Sequence, residues 1–117
     1  MAWSYITTSL AALLLIASVL PAPVPPDTET VEVAKYDGSI QCKEGSGIAL
    51  SEMQLTLSNE GIEVFSSRRS HDCLLRTQVC GQSTGFINVY RIKSEQLMAA
   101  MSLGFTPFSD CQNNTGN

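Results

Sequence analysis

Four cysteines, Cys42, Cys73, Cys80 and Cys111, are spread along the chain, and the two nearest in sequence are Cys73 and Cys80. Zinc sites and thioredoxin-type redox centres need tighter pairs such as Cys-x-x-Cys, so this spacing points away from a metal and away from a redox cofactor. An even number of separated cysteines instead reads as two structural disulfides, provided the chain reaches an oxidising compartment. Three connectivities are open to four cysteines.

The N-terminus supplies that provision. No side chain from Met1 to Pro26 is charged, and Ser9 to Leu20 is a dense apolar run of the length of a signal-peptide core. No Lys or Arg precedes the run, and Leu20 and Ala22 stand as the −3 and −1 positions of a cleavage site. Residues 1–22 are therefore read as a signal peptide, with an uncleaved membrane anchor as the alternative. No cysteine adjoins the run, which argues against a lipid-modified protein.

Pro21 to Thr30 holds four of the five prolines, a composition that favours extended, solvated chain. The organisation expected is a leader over 1–22, a Pro-rich spacer over 23–30, one domain over 31–111 and a loose polar tail over 112–117. Removing the leader leaves about 90 residues, enough for one core of modest margin that cross-links would reinforce. A formal net charge of −4 gives no attraction to phosphate backbones, so nucleic acid is not the expected partner.

Thr30 to Tyr36 alternates in the manner of a strand, taken as an extra N-terminal strand at a sheet edge, and Ser39 to Lys43 follows the Asp37-Gly38 turn as a second. Ser51 with Gln54 fits a capping box, and the expected helix runs from Ser51 to Glu60 with Met53 and Leu57 inward and Gly61 as its stop. Ile62 to Phe65 reads as a strand and Ser66 to Asp72 as a polar loop. Leu75 to Val79 alternates and pairs in a hairpin with Phe86 to Ile92. Ser94 caps a second helix, Leu97 and Met101 form its inner stripe, Gly104 ends it, and Phe105 to Phe108 is a last strand.

An internal echo ties these segments together: Ser51-Glu52, Gly61, Phe65 and Ser66 recur in the same relative positions as Ser94-Glu95, Gly104, Phe108 and Ser109. Each copy reads as helix, glycine stop and strand. The fold class expected is α+β: a ferredoxin-like split βαβ sandwich, with two helices on one face of an antiparallel sheet. Another α+β arrangement, with the N-terminal strand and hairpin in one sheet, is the alternative. The ferredoxin-like order makes the strands carrying Cys42 and Cys80 neighbours, which leaves Cys73 for Cys111.

His71-Asp72-Cys73 contains the parts of an activated thiol, but consecutive residues do not face one another as such a pair must, and a disulfide would remove the thiolate. Neither a phosphate-cradling glycine loop nor a Gly-x-Ser-x-Gly elbow is present. Arg68, Arg69 and His71 concentrate donors that could clamp an anion or a sugar. On the strand from Phe86 to Ile92, Phe86, Asn88 and Tyr90 share one face. That face is either an open platform for a glycan or peptide, or part of the core.

The strand-helix-strand repeat, with Tyr90-Arg91-Ile92 before a helix and Gly104-Phe105 after it, resembles the sporulation-related repeat domain. That resemblance implies a ferredoxin-like module binding cell-wall glycan on its sheet. The chain departs from the pattern in its two cysteine pairs and in lacking Gly-x-Phe after Ile92, and no family is assigned. The expected function is a non-catalytic exported domain, periplasmic or secreted, that binds a protein, peptide or glycan. Two rivals are a serine-protease inhibitor presenting Arg68 or Arg69 from a loop and a thiol-dependent enzyme using Cys73.

Overall fold

The computed structural model describes residues 28–111; the leader, most of the spacer and the tail expected over 112–117 lie outside the described residues. Thr30–Tyr36 forms strand β1, Leu50–Ser58 helix α1, Ser66–His71 strand β2 and Phe86–Lys93 strand β3. A 3-10 turn at Ser94–Gln96 leads into helix α2 (Leu97–Ser102), and Thr106–Pro107 is the short strand β4. The domain is thus mixed α/β, with two helices and a four-stranded antiparallel sheet in the order β2-β3-β1-β4. Among the described residues no helix is long and apolar enough to cross a membrane.

Sheet register decides which side chains meet the helices. Val33 lies opposite Tyr90 and Val31 opposite Ile92, so these four share a face. Met53 and Leu57 from α1 and Ala100 from α2 pack on that face, together with Ile62 and Phe105. Ile62 and Phe105 each directly follow a helix-ending glycine, Gly61 (φ 77°) and Gly104 (φ 93°). The left-handed turn that glycine permits aims the next side chain back beneath the helix. The echo also appears in backbone bonding: Phe65 N–H donates to Arg91 O at 2.9 Å, and Phe108 N–H to Glu32 O at 2.9 Å.

Several sequence expectations are corrected. Thr30–Tyr36 is neither an extra strand nor an edge strand; β1 lies between β3 and β4, and the adjacent Val33 and Ala34 are both buried, one on each face. Ser39 to Lys43 is not a strand and keeps only a bridge from Ile40 to Ser83. Gly38 at φ 76° turns the chain off the sheet, and the Asp37 carboxylate, accepting from Ser39 N–H at 2.8 Å and Ser39 O–H at 2.6 Å, fixes the turn. Neither Ser51 nor Ser94 makes a side-chain cap; Ala49 and Lys93 occupy the cap positions. In α2 Leu97 packs against the core as expected, with Ala100 buried beside it, whereas Met101 is exposed. The last strand is only Thr106–Pro107.

The largest correction exchanges strand and loop around residue 70. Ile62 to Phe65 is irregular and Ser66–His71 is the strand, paired with β3 from Ser66–Arg91 to His71–Phe86. Leu75 to Val79 lies in the long connection and not in a hairpin strand. Polar β2 is stable at the edge because its arginines are paired: Arg68 with Glu32 at 3.0 Å and Asp110 at 2.9 Å, Arg69 with Asp37 at 3.1 Å. Charged side chains on an edge strand also guard against pairing with another chain.

The opposite sheet face carries Ala34, Ile87 and Val89 and is covered by Phe108. After β4, at one sheet edge, the chain is pinned by the Cys111 disulfide to Cys73, two residues beyond β2 on the other edge. Residues 108–111 therefore form a strap across this face. The Arg68 guanidinium lies over the Phe108 ring at 5.5 Å and binds Asp110, which ties the strap to β2. Burial opposes the charge on Arg68, but the Asp110 and Glu32 carboxylates outweigh it and raise its pKa.

Candidate recognition loop

The long connection between β2 and β3 is held by both disulfides. Cys42–Cys80 and Cys73–Cys111 each close an interval of 38 residues, and the intervals overlap only from Cys73 to Cys80. Inside the overlap stand Leu74, Leu75, Arg76, Thr77, Gln78 and Val79. Leu75 is fully exposed, Leu74 is 58% exposed and Val79 43%. A lone exposed leucine needs no explanation, whereas three apolar side chains turned to solvent in one cross-linked segment make this loop the candidate site.

Local chemistry explains why the segment stands out. The Asp72 carboxylate accepts from Leu74 N–H at 3.1 Å, a turn in which an Asp side chain replaces a backbone acceptor. Cys73 takes the left-handed conformation at φ 69°, sending the chain away from the strand direction. Arg76 folds back to donate to Asp72, and the Tyr36 hydroxyl donates to the same carboxylate at 2.9 Å. Burial opposes the Asp72 charge, but the Leu74 N–H, Tyr36 hydroxyl and Arg76 guanidinium outweigh it and hold its pKa below the ordinary value. The bond to Asp72 in turn raises the Tyr36 pKa.

Gln41 braces the far half of the segment from within. Its Nε2 donates to Thr77 O at 3.2 Å and Ser83 O at 3.1 Å, while its Oε1 accepts from Val79 N–H at 2.9 Å. At the base, a Cβ on Gly85 would lie 2.5 Å from Arg76 Nε and 2.8 Å from His71 Nε2. Only glycine at this position, at φ 79°, lets the cluster close over it. A cleft of about 410 Å³ lies beside the loop, lined by Leu74, Leu75, His71, Gln78 and Phe86 among others.

The six binding candidates from the sequence fall in three places. Arg69, His71 and Phe86 come together: the Arg69 guanidinium sits 3.9 Å from the Phe86 ring centre, and His71 meets that ring edge-on at 5.6 Å. Arg68 projects from the other face of β2 towards the strap. Asn88 and Tyr90 are buried under α1, where Asn88 donates to Ile48 O at 2.9 Å and Tyr90 O–H to Leu50 O at 2.7 Å. Desolvation pushes the Tyr90 pKa up to about 12, so the buried hydroxyl stays a donor.

Arg68 and Arg69 belong to a paired strand, so the inhibitor loop expected at those residues does not exist there. His71 Nε2 donates to Thr84 O at 2.9 Å, and its Nδ1 lies 3.4 Å from Asp72, which fits a residue holding the loop base. The thiol reading requires a free Cys73, and Cys73 is bonded to Cys111. Among the described residues no three metal-ligating side chains converge. Sequence reasoning missed Leu74 to Val79 because Leu75, Thr77 and Val79 alternate like a strand; their signal was the enclosure between Cys73 and Cys80.

No family model, no curated protein and no solved structure matches this chain.

Proposed function

We propose that this chain is an exported, disulfide-held binding domain without a catalytic role, and that its ligand is a protein or peptide met by the loop from Leu74 to Val79. The observation that carries the reading is the conjunction of full exposure at Leu75 with a loop tied at both ends by disulfides. Holding a loop in one conformation beforehand lowers the entropy lost on binding. Exposed aliphatic side chains supply contact area without a desolvation penalty on polar groups. The sheet face opposite the helices is less suited to a glycan platform, because the strap and Phe108 cover it.

The fold supports a finer reading as the ferredoxin-like split βαβ. Two observations support it: the elements run β-α-β-β-α-β, the element order of that arrangement, and the first strand lies inside the sheet, in the order β2-β3-β1-β4. Two disulfides suit an oxidising, extracytoplasmic compartment. We take residues 1–22 as the leader that delivers the domain there, or as its tether to the membrane.

A photo-reactive diazirine amino acid at position 75, compared with one at exposed position 55 on α1, tests the reading in the native extracellular fraction. A discrete protein adduct formed from position 75 and not from 55 is expected. Adducts from neither position, or equally from both, would sink it.

A further inference from the structure

We infer that the loop is a substrate-like ligand for a serine endoprotease whose primary pocket takes an aliphatic side chain, with Leu75 entering that pocket. The inference rests on the binding role proposed for the same loop and adds the class of partner. Leu75 offers its whole side chain to solvent, while the next residue, Arg76, is turned inward onto Asp72. A protease approaching this segment therefore meets Leu75 as its most exposed apolar side chain, with the Leu75–Arg76 peptide bond beside it.

An inhibitor differs from a substrate in its fate after cleavage, and here the connectivity is unusual. Hydrolysis after Leu75 would consume one water, break the Leu75–Arg76 C–N bond and leave a Leu75 carboxylate and an Arg76 ammonium. The piece ending at Leu75 would carry β1, α1 and β2, and the piece beginning at Arg76 would carry β3, α2 and β4. Every sheet pairing, β1 with β3, β1 with β4 and β2 with β3, joins one piece to the other. Each disulfide does the same: Cys42 and Cys73 lie in the first piece, Cys80 and Cys111 in the second.

The new ends would stay close as well. Asp72 in the first piece holds Arg76 in the second, and Gln41 in the first binds Thr77, Val79 and Ser83 in the second. Two reacting groups held in one place recombine with the advantage of an intramolecular reaction. The cleaved loop would thus neither leave the protease pocket quickly nor stay cut irreversibly, and the enzyme would remain occupied.

The test uses the mature, oxidised domain against chymotrypsin, whose primary pocket is an apolar slot, and against trypsin, whose pocket holds an Asp. Chymotrypsin activity is expected to titrate away near one equivalent while trypsin is spared. Long incubation should add the mass of one water without loss of any fragment, and reduction should then release two pieces divided after Leu75. Leu75→Asp should weaken inhibition by at least about 100-fold, the scale of a central interface anchor, with no change in Tm. Leu75→Arg should transfer inhibition to trypsin.

Chymotrypsin left fully active, or inhibition unaltered in Leu75→Asp, would overturn the inference. A position-75 adduct without protease inhibition would remove the inhibitor role and leave the binding role standing. Absence of that adduct removes the binding role itself.

Discussion

The helix-covered side of the sheet and the β2–β3 connection solve opposite problems. Under the helices, Val33, Leu57, Tyr90, Ile92 and Phe105 are fully or almost fully buried, and that side is held by apolar contact with few polar bonds. The connection places Leu74 and Leu75 in solvent and is held by disulfides, the Asp72 cluster and Gln41. A small domain has little core to lend to an exposed loop, so the loop carries its own fastening. One side thus supplies global stability, and the other devotes covalent and polar bonds to local order.

The largest test of this division is Leu57→Ala. Leu57 is wholly buried between α1 and the sheet, and removing it should lower unfolding free energy by about 2–5 kcal/mol through lost transfer energy and a residual cavity. Denaturant titration measures the loss. Whatever fraction remains folded should keep the loop as it is, seen as unchanged exchange of the Val79 amide under conditions where local opening dominates. A loop that loosens together with the core would erase the distinction.

Next come the disulfides, which enclose equally long intervals of 38 residues and so restrict the unfolded chain equally. Cys42→Ser with Cys80→Ser should cost about 2–4 kcal/mol. Cys73→Ser with Cys111→Ser should cost more, because Cys111 also pins the strap over Ala34, Ile87 and Val89. Comparing denaturation midpoints of the two double variants, both without reductant, checks this order. Equal losses would mean that Phe108 and the Arg68–Asp110 pair hold the strap unaided.

Legibility in the sequence divides along the same line. Strand β1, the place of α1, strand β3 and the glycine stops at Gly61 and Gly104 are written in local periodicity and in residues that tolerate positive φ. Strand β2 is not, since Ser66–His71 holds no apolar alternation and its arginines are satisfied by Glu32, Asp37 and Asp110, all distant in sequence. Leu75 to Val79 misled for the converse reason: a strand-like pattern was overridden by Asp72, the conformation of Cys73 and the inward turn of Arg76. Asn88 and Tyr90 could be read onto a shared face, but which face the helices cover depends on the register with β1, which no local pattern states.

Asp72 should make the loop base sensitive to acid. Its folded pKa lies below the ordinary value, so the carboxylate contributes stability that is fully present above the unfolded pKa. That contribution is lost as pH falls through the folded one. Asp72→Asn should cost about 1–3 kcal/mol at neutral pH, the scale of hydrogen bonds to a charged group. It should also flatten the acid limb of a plot of stability against pH. An acid limb of unchanged depth in Asp72→Asn would assign the pH dependence to other carboxylates.

The smallest expected effect is the most local. Gln41 touches the connection through three side-chain bonds, to Thr77 O, Ser83 O and Val79 N–H, and each sits at the exposed surface, where water can replace the lost partner. Gln41→Ala should therefore lower global stability by only about 1 kcal/mol, the net worth of ordinary hydrogen bonds. Its clearer signature should be faster hydrogen exchange at Val79, whose amide loses its acceptor, with the amides of β3 beneath the helices unchanged. Because the disulfides limit how far the ends can move, the loop should widen its motion without leaving its place, and photo-adduct yield from position 75 should fall while the identity of the adduct stays the same. Exchange that accelerates equally in β3 would place Gln41 in the cooperative core, and the contrast between a packed side and a separately fastened loop would then fail at this residue.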